Sequence, residues 1–269
     1  MKKTNTSNTN GMQVPRLRVS IIGSGNVATH LALALHGVGH VICQVLSREY
    51  DHAHLLAARV GAQPINRQDL LRADADVYIL AVGDDALFDM ALDLKLPEAL
   101  VLHTSGSTSA EVLRPISRRY GVVWSPQTFI RDIAMDYGSL PFCVEGSTPA
   151  VAVEVESLMS TVSRNVYTLT YEQRRWAHLS AVMVSNFVNA VNAVAQQTMV
   201  QHGLDFEMLR PLAEQTLRKW DYGDLWVQQT GPAARRDDST IKLQRRLLAD
   251  QPELRKMYDL MTEMIQSNH

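Results

Sequence analysis

Cysteine is almost missing from this chain: Cys43 and Cys143 are the only two, about a hundred residues apart in strand-like surroundings. One such pair builds no disulfide framework, and neither has a neighbour at metal-site spacing, so a reducing compartment is expected. Long apolar runs are missing too. None approaches the roughly 18 residues that a membrane-spanning helix needs. A dominant charge is also lacking, since 26 Lys and Arg face 28 Asp and Glu for a net charge of -2. The basic clusters Arg118-Arg119, Arg174-Arg175 and Arg235-Arg236 are short and have acids or aromatics beside them. Neither a nucleic acid nor a membrane surface is expected as a partner. Residues 1–15 are Lys, Thr, Asn, Ser, Gly and Gln with no apolar h-region, which predicts a disordered leader rather than a signal peptide. A cytoplasmic location is expected.

What is present is enough apolar sequence, 46% of 269 residues, for one large or two medium domains. From Leu17 to about Thr170, β-type apolar runs alternate with amphipathic helical segments. Strands are predicted at 17–22, 41–46, 76–82 and 99–102, with shorter ones at 122–124, 142–144 and 166–169. Helices are expected over 27–36 and 51–60 and from Asp84-Asp85. Thr108 with Glu111 fits a capping box for another. Strands alternating with helices, without hairpin turns, predict an α/β domain with a mainly parallel sheet covered on both faces. After Tyr171 the pattern turns helical, beginning with one long helix from Glu172 to about His202. Further helices are expected over 205–220, 239–248 and 252–266. The organisation expected is therefore a leader at 1–15, a Rossmann-type domain at 16–170 and an all-helical domain at 171–269.

Gly23-x-Gly25-x-x-Ala28 follows the first buried strand and opens a helix. The first glycine permits the tight turn, the second lets backbone amides approach a pyrophosphate, and Ala28 lets the helix pack close to the strand. The helix N-terminus, reached through Ser24, Asn26 and Val27, adds partial positive charge for phosphates. A dinucleotide is the expected ligand. An acid at the end of the second strand would suit the ribose 2′-hydroxyl of NAD, but here that position reads Ser47-Arg48. Serine hydrogen-bonds a phosphate, and arginine pairs with it and stacks on adenine, so NADP is read ahead of NAD. Two further strand ends face the same crevice: Ala81-Val82-Gly83-Asp84-Asp85 and His103-Thr104-Ser105-Gly106-Ser107. Asp85 is either a helix N-cap or a ligand contact. The small polar loop around Ser105 suits a nicotinamide ribose.

On the long helix, His178, Ser185, Asn189, Asn192 and Gln196 project to one side of an otherwise apolar surface. Such a stripe faces solvent, lines a substrate cleft, or bonds across a subunit seam. His178 is either a satisfied structural histidine or a proton donor. Thr230-Gly231-Pro232-Ala233-Ala234-Arg235-Arg236-Asp237 holds a Gly-Pro turn, an Asp237 or Asp238 helix cap and, in Arg235, an anion clamp. It reads equally as a helix connection with surface charges.

The motifs Ile21 to Leu31, Leu102-His103-Thr104-Ser105-Gly106-Ser107, Pro126-Gln127-Thr128-Phe129 and Thr230 to Arg235 resemble those of the bacterial Rossmann-like proteins carrying domain of unknown function 2520. The resemblance runs from Leu17 onward, and it implies fold and cofactor rather than substrate. That family usually reads Arg-Gly-Asp after Gly-Pro-Ala-x, where this chain has Arg236 in place of the glycine. The layout is also distantly similar to pyrroline-5-carboxylate reductase and the β-hydroxyacid dehydrogenases, whose helical domain makes the dimer and closes over the nicotinamide. The dehydrogenases carry a lysine acid one turn before an asparagine. With Asn186 as that asparagine the lysine position is Val182, which donates no proton. Thr230-Gly231-Pro232 falls where the reductase has its substrate-carboxylate loop.

The resulting expectation is an NADP-dependent oxidoreductase acting on a small imine or carbonyl compound, with NAD or a deazaflavin as the lesser cofactor readings. Ser125, Gln127 and Thr128 with Thr230, Gly231 and Pro232 would line the substrate site. His178, Asn186, Asn189 and Arg235 are the candidates for catalysis. A homodimer through the helical domain is expected. The competing expectation is a non-catalytic NADP-binding or sensing protein working through dimer or partner contacts, which would show a closed or purely apolar pocket beside the nicotinamide.

Overall fold

The computed structural model describes residues 15–269, so the expected leader lies outside the described residues apart from Pro15. The described chain divides into two compact units, one ending at Val188 and the other running from Asn189 to His269. The first is built on one eight-stranded sheet of β1 (Arg18–Ile22), β2 (Val41–Leu46), β3 (Gln63–Ile65), β4 (Val77–Leu80), β5 (Leu100–His103), β6 (Arg119–Trp124), β7 (Pro141–Gly146) and β8 (Asn165–Thr168). Its strand order is β3-β2-β1-β4-β5-β6-β7-β8. Every neighbouring pair is parallel except β6 with β7. The order in which strands are added reverses at β1, where β2 and β4 flank it, and this is the switch point at which such sheets bind ligands.

The near-continuous apolar strands follow from burial on both faces. Val19 and Ile21 face a cluster formed with helices α1 (Asn26–Gly37), α2 (Tyr50–Val60) and α4 (Pro149–Ser160). Ile22, Tyr78 and Leu80 face a second cluster with α3 (Asp84–Asp93) and the 3-10 turn Ala110–Leu113. β3 was not expected; at three residues it is too short to show periodicity and pairs only with β2. The expected capping box at Thr108 is corrected: Ser109 accepts from the Glu111 amide and caps only the 3-10 turn. Gly83, not Asp85, is the N-cap of α3, leaving Asp84 and Asp85 in its first turn.

His30, buried on apolar α1, explains the Thr128-Phe129 segment. Its Nδ1 hydrogen-bonds the Tyr137 hydroxyl at 2.9 Å, its Nε2 the Ile130 carbonyl at 2.8 Å, and Phe129 stacks on its ring. The strand-free stretch after β6 is thereby fixed to the helix that opens at the glycine loop.

The helix expected over 172–202 has a π segment in it. α5 spans Tyr171–Ala181, a π-helical segment Val182–Phe187, and α6 Val188–Gln201. Thr170 and Gln173 form a reciprocal capping box that starts α5. The wider turn changes the angular phase assumed for the polar stripe: a uniform 100° per residue does not hold through 182–187.

The second unit contains α7 (Arg210–Arg218), α8 (Asp238–Leu247) and α9 (Pro252–Ser267) after α6. Ile241 and Thr262 are its only buried residues, whereas Val200, Leu212, Leu217, Trp220, Val227 and Leu247 are all more than half exposed. Asp237 caps α8, accepting from the Thr240 amide and both neighbouring hydroxyls, and those bonds hold its carboxyl down at about 2. Just before it, Arg236 has φ 53°, the one non-glycine residue in the left-handed region among the described residues. Glycine would adopt this conformation without steric cost. No helix among the described residues is long and apolar enough to cross a membrane.

Candidate functional site

The glycine loop is shaped by contacts that admit no side chain on one side and leave room on the other. Gly23 has φ 114°, and a Cβ there would lie 2.2 Å from the Ala81 carbonyl oxygen, so the turn presses against the end of β4. A Cβ built on Gly25 meets nothing within 4 Å, which leaves the space over the N-terminus of α1 free for a ligand. Asn26, Val27 and Ala28 are the first residues of that helix, and Ala28 is fully buried against the sheet. Ser24 and Ser47, from the loop and the end of β2, hydrogen-bond through their hydroxyls at 2.8 Å. Arg48 beside them is exposed. These residues fit a dinucleotide: open space at the second glycine, a helix N-terminus under it, and hydroxyls with a cation at the end of β2.

The ends of β4 and β5 come together at the same edge. Ala81 and Val82 are half-buried, and the Ser107 hydroxyl donates to Asp84 at 3.1 Å, tying the two loops. Asp85 is exposed. The Ser105 hydroxyl accepts from the amides of Ser107 and Thr108. His103 is fully buried, and its Nδ1 accepts from the Ser105 amide at 3.1 Å, so the proton of the neutral ring sits on Nε2. Burial, helped by the positive charge of Arg174, pushes the imidazole pKa down to about 4. His103 is therefore a neutral scaffold residue, holding the backbone from which Thr104, Ser105 and Gly106 reach the crevice.

Arg174 organises this corner, and sequence reasoning missed it. Its side chain is fully buried on α5. One terminal nitrogen donates to the Ser105 carbonyl at 2.8 Å. The other donates to the Thr108 carbonyl at 2.8 Å and to Glu145 on β7 at 3.0 Å. Nε also donates to Glu145, at 3.2 Å. The signal available was spacing. Arg174 lies four residues before His178, one helical turn away on the same face, although beside Arg175 it read as part of a surface charge pair.

Through this clamp α5 is held against the loop, and His178 packs over Gly106. A Cβ on Gly106 would lie 2.4 Å from His178 Cδ2 and 3.0 Å from Trp124 Nε1. Trp124, at the end of β6, meets the His178 ring edge-on at 5.6 Å between centroids. His178, Trp124, Ser125 and Gln127 line two cavities at once. One, of about 340 Å³, is bounded by Val27, Asp84 and Thr104 to Ser107. The other, of about 270 Å³, is bounded by Pro126, Thr128, Ala181, Val182, Val184, Ser185 and Asn186. The π segment supplies the last four of these. Its adjacent Ser185 and Asn186 both line the cavity, and the Thr128 and Ser185 hydroxyls stand 3.5 Å apart. Ser125 spends its hydroxyl on the Pro141 carbonyl at 2.7 Å, which fixes its own loop. Among the described residues no cluster of His, Cys, Asp and Glu could hold a metal ion.

The other expected residues belong to the second unit. Asn189 opens it and is exposed. Thr230 accepts from Lys219 at 3.4 Å, Gly231 turns with φ 104°, and Pro232 and Arg235 follow in the same loop. The Arg235 amide bonds the Gly231 carbonyl, while its side chain is exposed.

The fold class is thus a Rossmann-like domain followed by a helical region. Residues 1–125 match the Rossmann-like domain, and residues 140–265 match the domain of unknown function DUF2520. The protein BF3122 of Bacteroides fragilis, provisionally assigned as an NADP oxidoreductase, is 34% identical with a TM-score of 0.85, over 93% of this chain and 98% of that one. The chain belongs to this family of Rossmann-like proteins with a DUF2520 region. A reductive aminase of Aspergillus terreus, solved with NADPH and ethyl levulinate, is 16% identical with a TM-score of 0.69, over 94% of this chain and 98% of that one. A pyrroline-5-carboxylate reductase of Coxiella burnetii is 17% identical with a TM-score of 0.56, over 94% and 97%. These two likenesses are of fold. No functionally curated protein matches the chain.

Proposed function

We propose that the protein is an NADP-dependent oxidoreductase that moves hydride between nicotinamide and a small imine or carbonyl compound. The observation that carries this reading is the position of His178 between two cavities, one beside the β4 and β5 loops and one beside the π segment. The provisional assignment of the Bacteroides relative and the NADPH held by the reductive aminase support it. Bound there, NADPH supplies a hydride; the remaining roles belong to the chain.

Gly23 to Ala28 would hold the pyrophosphate, Ser47 and Arg48 the 2′-phosphate, and Ala81, Val82, Asp84, Asp85 and His103 to Gly106 the nicotinamide half. Gln127, Thr128, Ser185 and Asn186 would orient the substrate's polar atom, with Ser125 fixing their loop. As hydride reaches the C=N or C=O carbon, the nitrogen or oxygen gains a proton. His178 is the titratable side chain shared by both cavities and is the proposed donor. Arg235 is the proposed clamp for a substrate carboxylate, with Thr230 to Pro232 beside it and Asn189 as a further polar group.

The exposed apolar side chains of the second unit support a homodimer through that unit, since a unit burying only Ile241 and Thr262 lacks a core of its own. Cys43 and Cys143 are both free and buried, which suits the cytoplasm. A purely sensing role would leave a closed or apolar pocket beside the nicotinamide. The half-buried histidine and the hydroxyls and amides around it favour turnover. The test is NADPH oxidation over a panel of small imines and 2-oxo acids with wild type and His178→Ala. Turnover by wild type that falls about a hundredfold or more in the variant supports the reading, because general acid catalysis contributes on that order. Undiminished turnover removes His178 as donor.

A further inference from the structure

A separate, cationic pocket lies beside the glycine loop, walled by α1, α2 and the segment after β6. It has a volume of about 340 Å³, and Ser24, Thr29, His52, Arg59, Arg131 and Asp132 supply its polar lining. Two arginines and a histidine face one carboxylate there, so the pocket is cationic on balance whenever His52 is charged and still carries a net positive charge when it is not.

Arg131 is the unusual member. One terminal nitrogen donates to the Ser24 carbonyl at 2.9 Å, which places the guanidinium against the glycine loop. Its Nε–H is buried and has no hydrogen-bond partner. A buried guanidinium donor left unpaired is costly, and an anionic oxygen in the pocket would remove that cost. The segment carrying Arg131 is not loose, because the Ile130 carbonyl is bonded to His30 and Phe129 stacks on the same ring. Arg131 is held where it is by the fold.

What anion belongs there follows from Ser24. Its hydroxyl bonds that of Ser47 at the end of β2, where the adenine ribose of a dinucleotide sits in this fold. A phosphomonoester on the ribose 2′-oxygen would meet Ser24 and Ser47 with Arg48 on one side and the Arg131 pocket on the other. We infer that Arg131, aided by Arg59 and His52, is a specificity-determining residue for the 2′-phosphate, so that preference for NADPH over NADH rests on Arg131 and its pocket as well as on Arg48. This inference rests on the proposed NADP reading and adds a residue to it.

The experiment is calorimetric titration of wild type, Arg131→Gln and Arg59→Gln with NADPH, NADH, adenosine 2′,5′-bisphosphate and 5′-AMP. Arg131→Gln should weaken NADPH and the bisphosphate by roughly tenfold to a hundredfold, the worth of a charge-assisted hydrogen bond, and leave NADH and 5′-AMP within twofold of wild type. Arg59→Gln should do the same more weakly. Unchanged NADH binding also reports that each variant is folded. An equal loss for both nucleotides would mean that Arg131 only props the glycine loop through Ser24, and would overturn the inference, as would no loss for either. A wild type that binds NADPH no more tightly than NADH would instead overturn the NADP reading, and this inference with it.

Discussion

Arg174→Met replaces a fully buried guanidinium by a side chain that fills similar space and donates nothing. Three acceptors lose their partners: the Ser105 and Thr108 carbonyls and Glu145, whose side chain is only 16% exposed. Stranding one charge of a buried pair costs about 3–5 kcal/mol, and each unsatisfied carbonyl adds about 1 kcal/mol where water fails to reach it. A loss of about 4 kcal/mol is expected, a large share of the roughly 5–15 kcal/mol by which domains are stable. Urea unfolding followed by tryptophan fluorescence measures it, and at ordinary slopes the midpoint should fall by more than about 1 M. Arg174→Lys keeps the charge but cannot reach three acceptors with one ammonium, so it should lose about half as much. Arg174→Met with Glu145→Gln removes the stranded charge and should recover part of the loss. A loss under about 1 kcal/mol for Arg174→Met, or no recovery in the double variant, would refute the account of this corner.

Gly106→Ala places a methyl where His178 and Trp124 already stand. It should displace His178 and cut turnover at least tenfold, with a smaller loss of NADPH affinity because the pyrophosphate and 2′-phosphate contacts remain, read as kcat against the nucleotide Kd. His103 titrates at about 4 when folded against about 6.5 when unfolded, so the unfolded chain binds the extra proton between those values. Its contribution is complete above pH 6.5, falls as pH drops towards 4, and amounts to about 3 kcal/mol. His103→Asn, which keeps an acceptor for the Ser105 amide, should flatten that slope in thermal unfolding between pH 7 and 4. Arg236→Gly relieves a left-handed arginine and should cost nothing or stabilise by up to about 1 kcal/mol, despite losing its bond to the Gln266 carbonyl. A clear loss in denaturant midpoint would show that the arginine's contacts outweigh the strain.

The mainly parallel sheet was legible because its central strands are long enough to show buried apolar runs; the strand order was not, because it is set by which strands pair. The glycine loop was legible because its roles are sterically fixed, as the 2.2 Å approach at Gly23 bears out. β3 was not legible, since three residues carry no period. The π segment was hidden for a related reason: inserting a wider turn leaves composition untouched and alters only phase. Arg174 and Arg131 were invisible as functional candidates because a buried arginine and a surface one are written with the same letter. Their partners, Glu145, Thr108 and Ser24, lie 29, 66 and 107 positions away. Long-range polar pairing has no local signature. Asp237, by contrast, caps its helix from its own neighbourhood and was one of the two caps, with Asp238, that the sequence offered.

The central claim is a site built for NADP, and the most direct measurement is a side-by-side titration of the purified wild-type protein with NADPH and NADH. The account predicts micromolar or tighter binding of NADPH, with NADH at least tenfold weaker. Binding of neither nucleotide, or tighter binding of NADH, would contradict it.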